Sequence, residues 1–239
     1  MKVMVVMPAP KGVMEPEIED RVTKTLLSYG SSEIEITIGF PTEHTGHVPR
    51  GGGGGAFGTA RNHIAVAERM VQGEGEGMDA CIPYGMSDYG AELARTRCSI
   101  PIIGQSRAAY TMASLMVDRW GVLTYQSGGH SGTRRQLREY GFDHAVSGLG
   151  AVEMASREMW NRSPLLLERF AAEGQRLAKE GAELIVCHGM SMSPIEYSAA
   201  ELTGAAGVPV LEGMGCAVAL AQAWHRTRTP YSRIRYPSR

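Results

Sequence analysis

Two short segments of the chain carry side chains that can move protons, and the segments repeat one another. Residues 77–87 align without a gap with residues 181–191. Each copy has the pattern of a short buried strand that breaks into a Gly-Met-Ser turn. A phenol, a carboxylate, a thiol or an imidazole beside such a turn can act as a general acid or base. The candidate catalytic residues are Tyr84 and Asp88 at the first turn and Cys187 and His188 at the second.

Each turn also offers groups that can hold an anion. Removing a proton or carbon dioxide next to a carboxylate leaves an enolate, and the barrier depends on how well its oxygens are stabilised. Backbone N–H groups at a strand-to-helix turn, aided by a hydroxyl, stabilise such oxygens. The alternative is that Ser87 and Ser191 only cap the helices that follow. The candidate substrate-binding residues at the turns are Gly85, Met86, Ser87, Gly189, Met190 and Ser191.

Cys187 is a useful base only if its thiol ionises. A helix end or the neighbouring His188 can lower the pKa of the thiol, because either one stabilises the thiolate. The repeat makes Tyr84 and His188 equivalent, and Asp88 lies just beyond the first turn. For His188, a satisfied structural role is the alternative.

Strands and helices alternate along the chain, which is typical of parallel sheets with helices on both faces. The repeat predicts two equivalent halves, and a small molecule held between them would meet two related strand ends. The predicted strands are residues 2–7, 34–38, 78–83, 100–103, 121–125, 144–146, 183–187 and 208–211. The predicted helices are residues 15–29, 59–72, 89–97, 108–117, 133–140, 164–181, 194–204 and 215–226.

Composition narrows the classes of partner. The chain has 239 residues, of which 43% are hydrophobic and 21% charged, and its net charge is −1. Without a basic run it shows no electrostatic footprint for nucleic acid. No apolar run approaches the roughly 18 residues of a membrane helix. The first apolar segment is broken by Pro8, too early for a signal peptide. We therefore expect a cytoplasmic protein with no nucleic-acid or membrane partner.

The spacing of the cysteines along the sequence does not match a known disulfide or metal-binding pattern. They show no CxxC pair and no metal-finger spacing, so we expect free thiols, no disulfides and no metal site. Three of them have the setting of small buried hydrophobic residues, and only Cys187 lies at a strand end. The four cysteines are Cys81, Cys98, Cys187 and Cys216.

The stretch of residues 41–58 is rich in glycine and cannot pack a core. It holds His44, His47 and Arg50, followed by Gly51 to Gly55. Two interpretations are open, a mobile lid over the site or a slack surface loop. The stretch lacks the Lys and Ser/Thr of a phosphate-binding loop, which argues against nucleotide binding.

Several longer stretches resemble the aspartate/glutamate racemase superfamily, most closely its hydantoin racemase branch, with arylmalonate decarboxylase and maleate isomerase as relatives. The resemblance implies an α/β fold of two pseudo-symmetric lobes, each a mainly parallel four-stranded sheet flanked by helices, with the active site in the cleft between them. It implies one lobe of residues 1–105 plus 212–239 and another of residues 106–211, and it allows a homo-oligomer, either dimer or tetramer. The stretches are residues 77–104, 120–124, 138–141, 180–186, 207–213 and 217–221.

The chain differs from this family at the two positions where the resemblance implies catalytic cysteines. The resemblance implies two cysteines that move a proton without a cofactor, but their positions fall on Gly85 and Gly189. If only the cysteine of the first strand is missing, the chain resembles arylmalonate decarboxylase, in which a lone cysteine delivers the proton. Cys187 lies two residues before Gly189 and would point to the same side of an extended strand. Cys187 is the catalytic thiol if the strand ends early; otherwise it is a buried strand residue and the chemistry uses no thiol.

The resemblance also implies a hydroxyl that helps to bind the substrate carboxylate at the end of the middle strand. Thr124 and Tyr125 lie there, so they join the candidate substrate-binding residues, with core packing as the alternative for Tyr125. The polar motif of the family near the N-terminus is replaced by Met7-Pro8-Ala9-Pro10. Because this replacement loses an amide donor, it argues against an amino-acid substrate.

The sequence therefore predicts a cofactor-independent enzyme that forms and reprotonates a carbanion next to a carboxylate or imide carbonyl. Its substrate would be a small carboxylic acid or a cyclic amide. With only one possible thiol, decarboxylation or cis–trans isomerisation fits better than two-base racemisation. One alternative is hydrolysis or ring opening of an amide, with His188 or Asp88 activating water. Another is a non-catalytic binding protein for small acids.

Overall fold

The computed structural model describes residues 1–42 and 55–237. The segment that holds His44, His47, Arg50 and the first four glycines of the run lies outside the described residues. The chain divides into two compact units, Met1–Gln105 with Ala217–Arg239 and Ser106–Cys216.

Seven strands and nine α-helices follow one another along the described residues. The strands are β1 (Lys2–Val6), β2 (Glu35–Gly39), β3 (Ala80–Pro83), β4 (Trp120–Thr124), β5 (Val146–Ala151), β6 (Ile185–Cys187) and β7 (Val210–Glu212). The helices are α1 (Pro16–Leu27), α2 (Gly55–Gly75), α3 (Ala91–Arg95), α4 (Gln105–Met116), α5 (His130–Tyr140), α6 (Ser156–Met159), α7 (Pro164–Lys179), α8 (Ala199–Ala206) and α9 (Gly213–Thr227).

The first unit is built on a parallel sheet with the strand order β2-β1-β3. It has three strands rather than the predicted four. The predicted strand at residues 100–103 makes only a single parallel bridge, between Ile102 and Cys81. Pro101 has no N–H to donate to a neighbouring strand, and helix α4 begins at Gln105, so the segment is too short to extend the sheet.

The core of the first unit lies between this sheet and helix α2. Val66 and Met70 are one helical turn apart and fully buried, and they pack with Val6 and Cys81 from the strands. Burying a side chain of this size stabilises the fold by about 1.5–3 kcal/mol. The core therefore fixes α2 against the sheet, next to the turn that follows β3.

The second unit has a parallel sheet with the strand order β5-β4-β6-β7. Every residue of β4 is buried, as expected for a central strand covered on both faces. Strand β5 begins at Val146, although the sequence predicted a strand at residues 144–146 that ends there. The cause is a tight helical turn over Asp143–Ala145, which occupies the start of the predicted strand.

The helix predicted at residues 194–204 is interrupted. A kinked helical segment covers Ser191–Glu196, and α8 follows separately. Ser193 has extended backbone angles because it precedes Pro194, whose ring disfavours the helical conformation for the residue before it. The other predicted elements differ from the observed bounds by a few residues.

The predicted α/β class, with parallel sheets flanked by helices, is confirmed. No helix in the described part of the chain is both long and apolar enough to span a membrane. Within the same residues, no three His, Cys, Asp or Glu side chains form a group that could hold a metal ion.

Candidate functional site

The repeat seen in the sequence is confirmed by the hydrogen bonds at the two strand ends. The N–H of Tyr84 donates to the carbonyl of Val6 at 2.8 Å, one step beyond the last paired residue of β3. The N–H of His188 donates to the carbonyl of Leu123 at the same distance, one step beyond β6. Tyr84 and His188 are therefore structurally equivalent, and each precedes the glycine of its turn.

The first turn depends on a glycine. Gly85 has a φ of +105°, in the region that L-residues with a side chain rarely adopt. A Cβ atom at this position would lie 3.7 Å from the ring of Tyr89, an ordinary contact distance. A side chain is thus disfavoured at position 85 by the backbone conformation and not by lack of space.

The polar residues of the first turn have different surroundings. Ser87 is exposed, Met86 is buried, and Asp88 is buried with a left-handed φ of +50°. The Asp88 carboxylate lies against Gly104, where a Cβ would clash with it. The turn therefore places a carboxylate, one of the candidate acid–base groups, inside the first unit near the end of β3.

In the second unit, Cys187 is the last residue of β6 and has only 1% of its surface exposed. It belongs to the apolar core together with Leu123 and Met192. Burial, with a smaller effect of the negative charge of Glu212, raises the pKa of the thiol above its ordinary value. The thiol therefore stays protonated at neutral pH, as the buried-strand interpretation of Cys187 requires.

His188 points toward polar partners on α4 and α5. Its Nε2 lies 3.2 Å from Oε1 of Gln136 and 3.3 Å from Oγ of Ser106, and its ring stacks on Tyr110. An Nε2–H tautomer can donate to the amide oxygen of Gln136. Desolvation by burial lowers the pKa of His188 to about 4. The imidazole is therefore neutral near pH 7, and this nitrogen is engaged within the unit.

Gly189 is required for a reason different from that for Gly85. A Cβ atom at position 189 would lie 2.5 Å from Cε1 of Tyr125 and 2.7 Å from its Cζ. The phenol ring of Tyr125, together with Cε of Met192 at 2.8 Å, thus occupies the space that a side chain at position 189 would need. Its hydroxyl oxygen accepts a 2.8 Å hydrogen bond from the N–H of Ser191. The structure therefore brings Tyr125, Gly189 and Ser191 together.

The other candidate residues of the second unit have structural partners. The hydroxyl of Thr124 lies 3.1 Å from the carbonyl oxygen of Gly150 and 3.3 Å from that of Gln126, and it donates within the sheet edge. Met190 is buried. Thr124 is thus positioned to hold strand β5 and the following loop in place.

The alternative that Ser87 and Ser191 only cap the following helices does not fit the structure. Helix α3 begins at Ala91 and its N-cap residue is Gly90. Helix α8 is capped by Ser198, whose side chain accepts from the N–H of Glu201. Ser87 and Ser191 lie before these positions because the chain makes additional turns between each strand and its helix.

Sequence reasoning did not identify several polar residues near these turns. Gln136 and Ser106 contact His188, and Tyr89 lies over Gly85. Asn62, on helix α2, is fully buried although it is polar. The only signal in the sequence is that Asn62 interrupts the apolar side of the helix four residues before Val66, which is too common a pattern to single out one residue.

Comparison with known proteins assigns the chain to a family. The model of the Asp/Glu/hydantoin racemase family matches residues 51–221, which is more than half of the chain. The chain therefore belongs to this family.

One curated relative is the hydantoin racemase of Rhizobium meliloti, which is 30% identical over 156 residues. The match covers 64% of this chain and 62% of the relative, so the chain spans less than two thirds of that protein's length.

Two solved structures show the same fold. Allantoin racemase from Pseudomonas fluorescens has a TM-score of 0.84 at 21% identity, covering 100% of this chain and 97% of that chain. Arylmalonate decarboxylase has a TM-score of 0.61 at 12% identity, covering 94% of this chain and 92% of that chain. At such low identities the likeness shows that the strands and helices are arranged in the same way. It does not show that the reaction or the substrate is the same.

Proposed function

We propose that this chain is a cofactor-independent enzyme that forms and reprotonates an enolate-like carbanion on a small carboxylic acid or cyclic amide, without a catalytic thiol. Membership of the racemase family supports the reaction type. The observation that carries the proposal is the packing of the Tyr125 phenol into the space left open by Gly189. A hydroxyl thereby stands beside a position at which the family resemblance implies a thiol.

The state of the four thiols supports a mechanism without them. Burial raises the pKa of Cys98 and of Cys216 to about 12. It also raises the pKa values of Cys81 and Cys187 above the ordinary value for a thiol. Because only the thiolate is an effective base, none of these cysteines can remove a proton efficiently near neutral pH.

Tyr125 can supply the proton that the reaction needs. The N–H of Ser191 donates to its phenol oxygen, and a hydrogen bond of this kind stabilises the phenolate relative to the phenol. In a decarboxylation, the electrons of the broken C–C bond remain on carbon as carbon dioxide leaves. The Tyr125 O–H then protonates that carbon, and water returns a proton to the phenolate. In an isomerisation or exchange reaction, the phenolate of Tyr125 first removes the carbon-bound proton, the resulting phenol exchanges that proton with water, and the hydroxyl then protonates the enolate carbon.

Hydrolytic ring opening of an amide is a second candidate function, supported by Asp88. This carboxylate is buried at the end of a parallel strand, where α/β enzymes place their chemistry. A carboxylate in such a position can accept a proton from water. His188 supports this alternative less well, because its neutral imidazole has a pKa of about 4 and its Nε2 lies beside Gln136.

The two functions are separated by following carbon-bound hydrogen in deuterated water. A 5-substituted hydantoin and a substituted malonate serve as probes, with proton NMR as the measurement. The proposal expects deuterium to enter the carbon next to the carbonyl. Ring opening without deuterium incorporation would favour the hydrolase, and binding with neither reaction would favour a non-catalytic protein.

Two substitutions test the role of the phenol. Tyr125→Phe should lower the incorporation rate by about 10²- to 10⁴-fold, the usual contribution of a general acid. Cys187→Ala should leave it within about threefold, because the thiol takes no part. Tyr197→Phe is the matched control, since the Tyr197 hydroxyl donates to the carbonyl of Arg162. A Cys187→Ala variant without incorporation, beside an active Tyr125→Phe variant, would contradict the proposal.

A further inference from the structure

Helix α2 carries large apolar side chains on the face opposite to its core. Phe57 has 80% of its surface exposed and Ile64 has 52%. Val66 and Met70, by contrast, are fully buried in the core of the first unit. Because each residue turns an α-helix by about 100°, Phe57 and Ile64 lie within about 20° of each other, on the side away from Val66. Exposed apolar side chains that share one helix face indicate a contact with another surface.

Charged residues of opposite sign complete this face. Arg61 lies between Phe57 and Ile64 along the chain, and Glu68 lies one helical turn beyond Ile64. Both are exposed, and no ion pair among the described residues includes either one. The outer face of α2 spans an arc of about 80° around the helix axis, and it consists of Phe57, Arg61, Ile64, Glu68 and Gln72.

The order of these residues along the helix is complementary to itself. In an antiparallel pair of two α2 helices with Ile64 on the twofold axis, residue 61 of one helix faces residue 67 of the other. Arg61 then lies within one residue, or about 1.5 Å along the axis, of Glu68 of the second copy. The twofold axis forms this pair twice, because each contact of such an interface is repeated. A parallel pair would place Arg61 against Arg61, and like charges across an interface are unfavourable.

Phe57 has a matching place on the second copy. In the antiparallel arrangement it faces residue 71, beside a shallow hollow in the C-terminal half of α2. The hollow is lined by Pro41, Thr42, Ala65, Glu68, Arg69 and Gln72. Positions 65, 68, 69 and 72 have the spacing of the four residues that receive one side chain from a neighbouring helix. Seating the Phe57 ring there would remove its apolar surface from water, which favours association.

We propose that the outer face of α2 binds the same face of a second copy of this chain, as an antiparallel helix pair. The contact extends from Phe57 to Gln72, about 23 Å along the helix. A single helix face of this length covers less than the roughly 800 Å² per partner of a standard interface. We therefore expect a reversible dimer with a Kd of about 1–100 µM. Assembly of this kind does not depend on the proposed reaction.

Sedimentation velocity of the full chain at about 1–200 µM measures the assembly. The unmutated protein should change from one chain to two as the concentration rises. Ile64→Lys should raise the Kd by about 100-fold or more, because it places two ammonium groups together at the twofold axis. Leu115→Lys is the matched control, since Leu115 is 76% exposed on helix α4. The control should leave the Kd within about threefold of that of the unmutated protein.

Charge reversal tests the antiparallel order. Arg61→Glu and Glu68→Arg should each raise the Kd by about 10-fold or more, since each creates two pairs of like charges. The first variant has acidic residues at both positions and the second has basic residues at both, so an equimolar mixture should form a mixed dimer. The double variant Arg61→Glu/Glu68→Arg should dimerise with a Kd within about threefold of that of the unmutated protein. A thermal unfolding curve checks that every variant is folded.

Three results would overturn the inference. The first is an unmutated chain that stays monomeric over the whole concentration range, as expected if another part of the chain or a different protein covers the outer face of α2. The second is a dimer that Ile64→Lys leaves unchanged, which would place the interface elsewhere. The third is dissociation of both single charge variants without recovery in the mixture or in the double variant, which would exclude the antiparallel pair.

Discussion

The turns at Gly85 and Gly189 have the same backbone plan and different physical reasons for their glycines. In both, the residue after the strand donates its N–H to the central strand at 2.8 Å. Gly85 is needed because its φ is +105°, whereas Gly189 does not have a left-handed backbone. At Gly189 the constraint is the Tyr125 ring, 2.5 Å from where a Cβ would be. Identical residues in a sequence repeat therefore do not imply identical constraints.

The chemistry of the two turns differs in the same way. The first turn contributes a buried carboxylate, Asp88. The second is surrounded by the thiol of Cys187 and the imidazole of His188, which are uncharged near pH 7, and by the phenol of Tyr125. Burial is the cause for the thiol and the imidazole, because it disfavours their charged forms. The first turn thus offers a carboxyl group, and the second offers a neutral thiol and imidazole beside a phenol.

Of the effects that test the difference between the two turns, the largest should be the pH dependence of the free energy of unfolding caused by His188. Its pKa is lowered from 6.5 to about 4 in the folded protein. Between these pH values the unfolded chain binds more protons than the folded one, so the free energy of unfolding decreases as the pH falls. The loss should reach about 3 kcal/mol at the lower end of the window.

Urea unfolding at a series of pH values measures this effect. His188→Gln should flatten the curve between about pH 4 and 6.5, because glutamine does not titrate. His144→Gln, a substitution of an exposed histidine in the same unit, is the control and should leave the slope unchanged. An unaltered slope in His188→Gln would mean that the pKa of His188 is not lowered in the folded protein, and that burial does not set its charge.

The next largest effect should come from Gly189→Ala. The new methyl group would overlap the Tyr125 ring, and overpacking of this kind costs about 1–3 kcal/mol. Removing the ring leaves only Cε of Met192, the end of a flexible side chain, within 2.8 Å of the new methyl group. The double variant Gly189→Ala/Tyr125→Ala should therefore be more stable than the sum of the single effects by about 1 kcal/mol or more. Urea unfolding of the four proteins measures this coupling. Additive effects would show that the ring does not set the need for glycine at position 189.

Much of the fold could be predicted from the sequence because local pattern and burial agree in most elements. The apolar runs at Lys2–Val6 and Trp120–Thr124 are central parallel strands, as their composition indicates. Strand β5 was misplaced because its sequence contains Gly148 and Gly150, which are typical of loops. In the structure these glycines allow the Leu177 side chain to pack against the strand, a tertiary effect that local propensity does not contain.

The candidate site was predictable only in outline. The repeat located both turns, because a strand followed by Gly-Met-Ser is a local signal. Which side chains occupy each turn depends on residues distant in sequence, such as Tyr125 for Gly189 and Gln136 for His188. That the buried amide of Asn62 has no hydrogen-bond partner among the described residues could not be predicted either, because hydrogen bonding of a buried amide is a property of the packed structure.

The smallest of these effects should be that of Gly85→Ala, and it tests the comparison most directly. An L-residue in the left-handed region costs about 1–2 kcal/mol, and the new methyl group would only touch the ring of Tyr89. Because the cost lies in the backbone, the added substitution Tyr89→Ala should not restore stability, in contrast to the pair at Gly189 and Tyr125. Urea unfolding of the single and double variants measures the coupling, which should be within about 0.5 kcal/mol of zero. A coupling as large as that expected for the second turn would mean that both glycines are retained for space, and the proposed difference between the turns would be wrong.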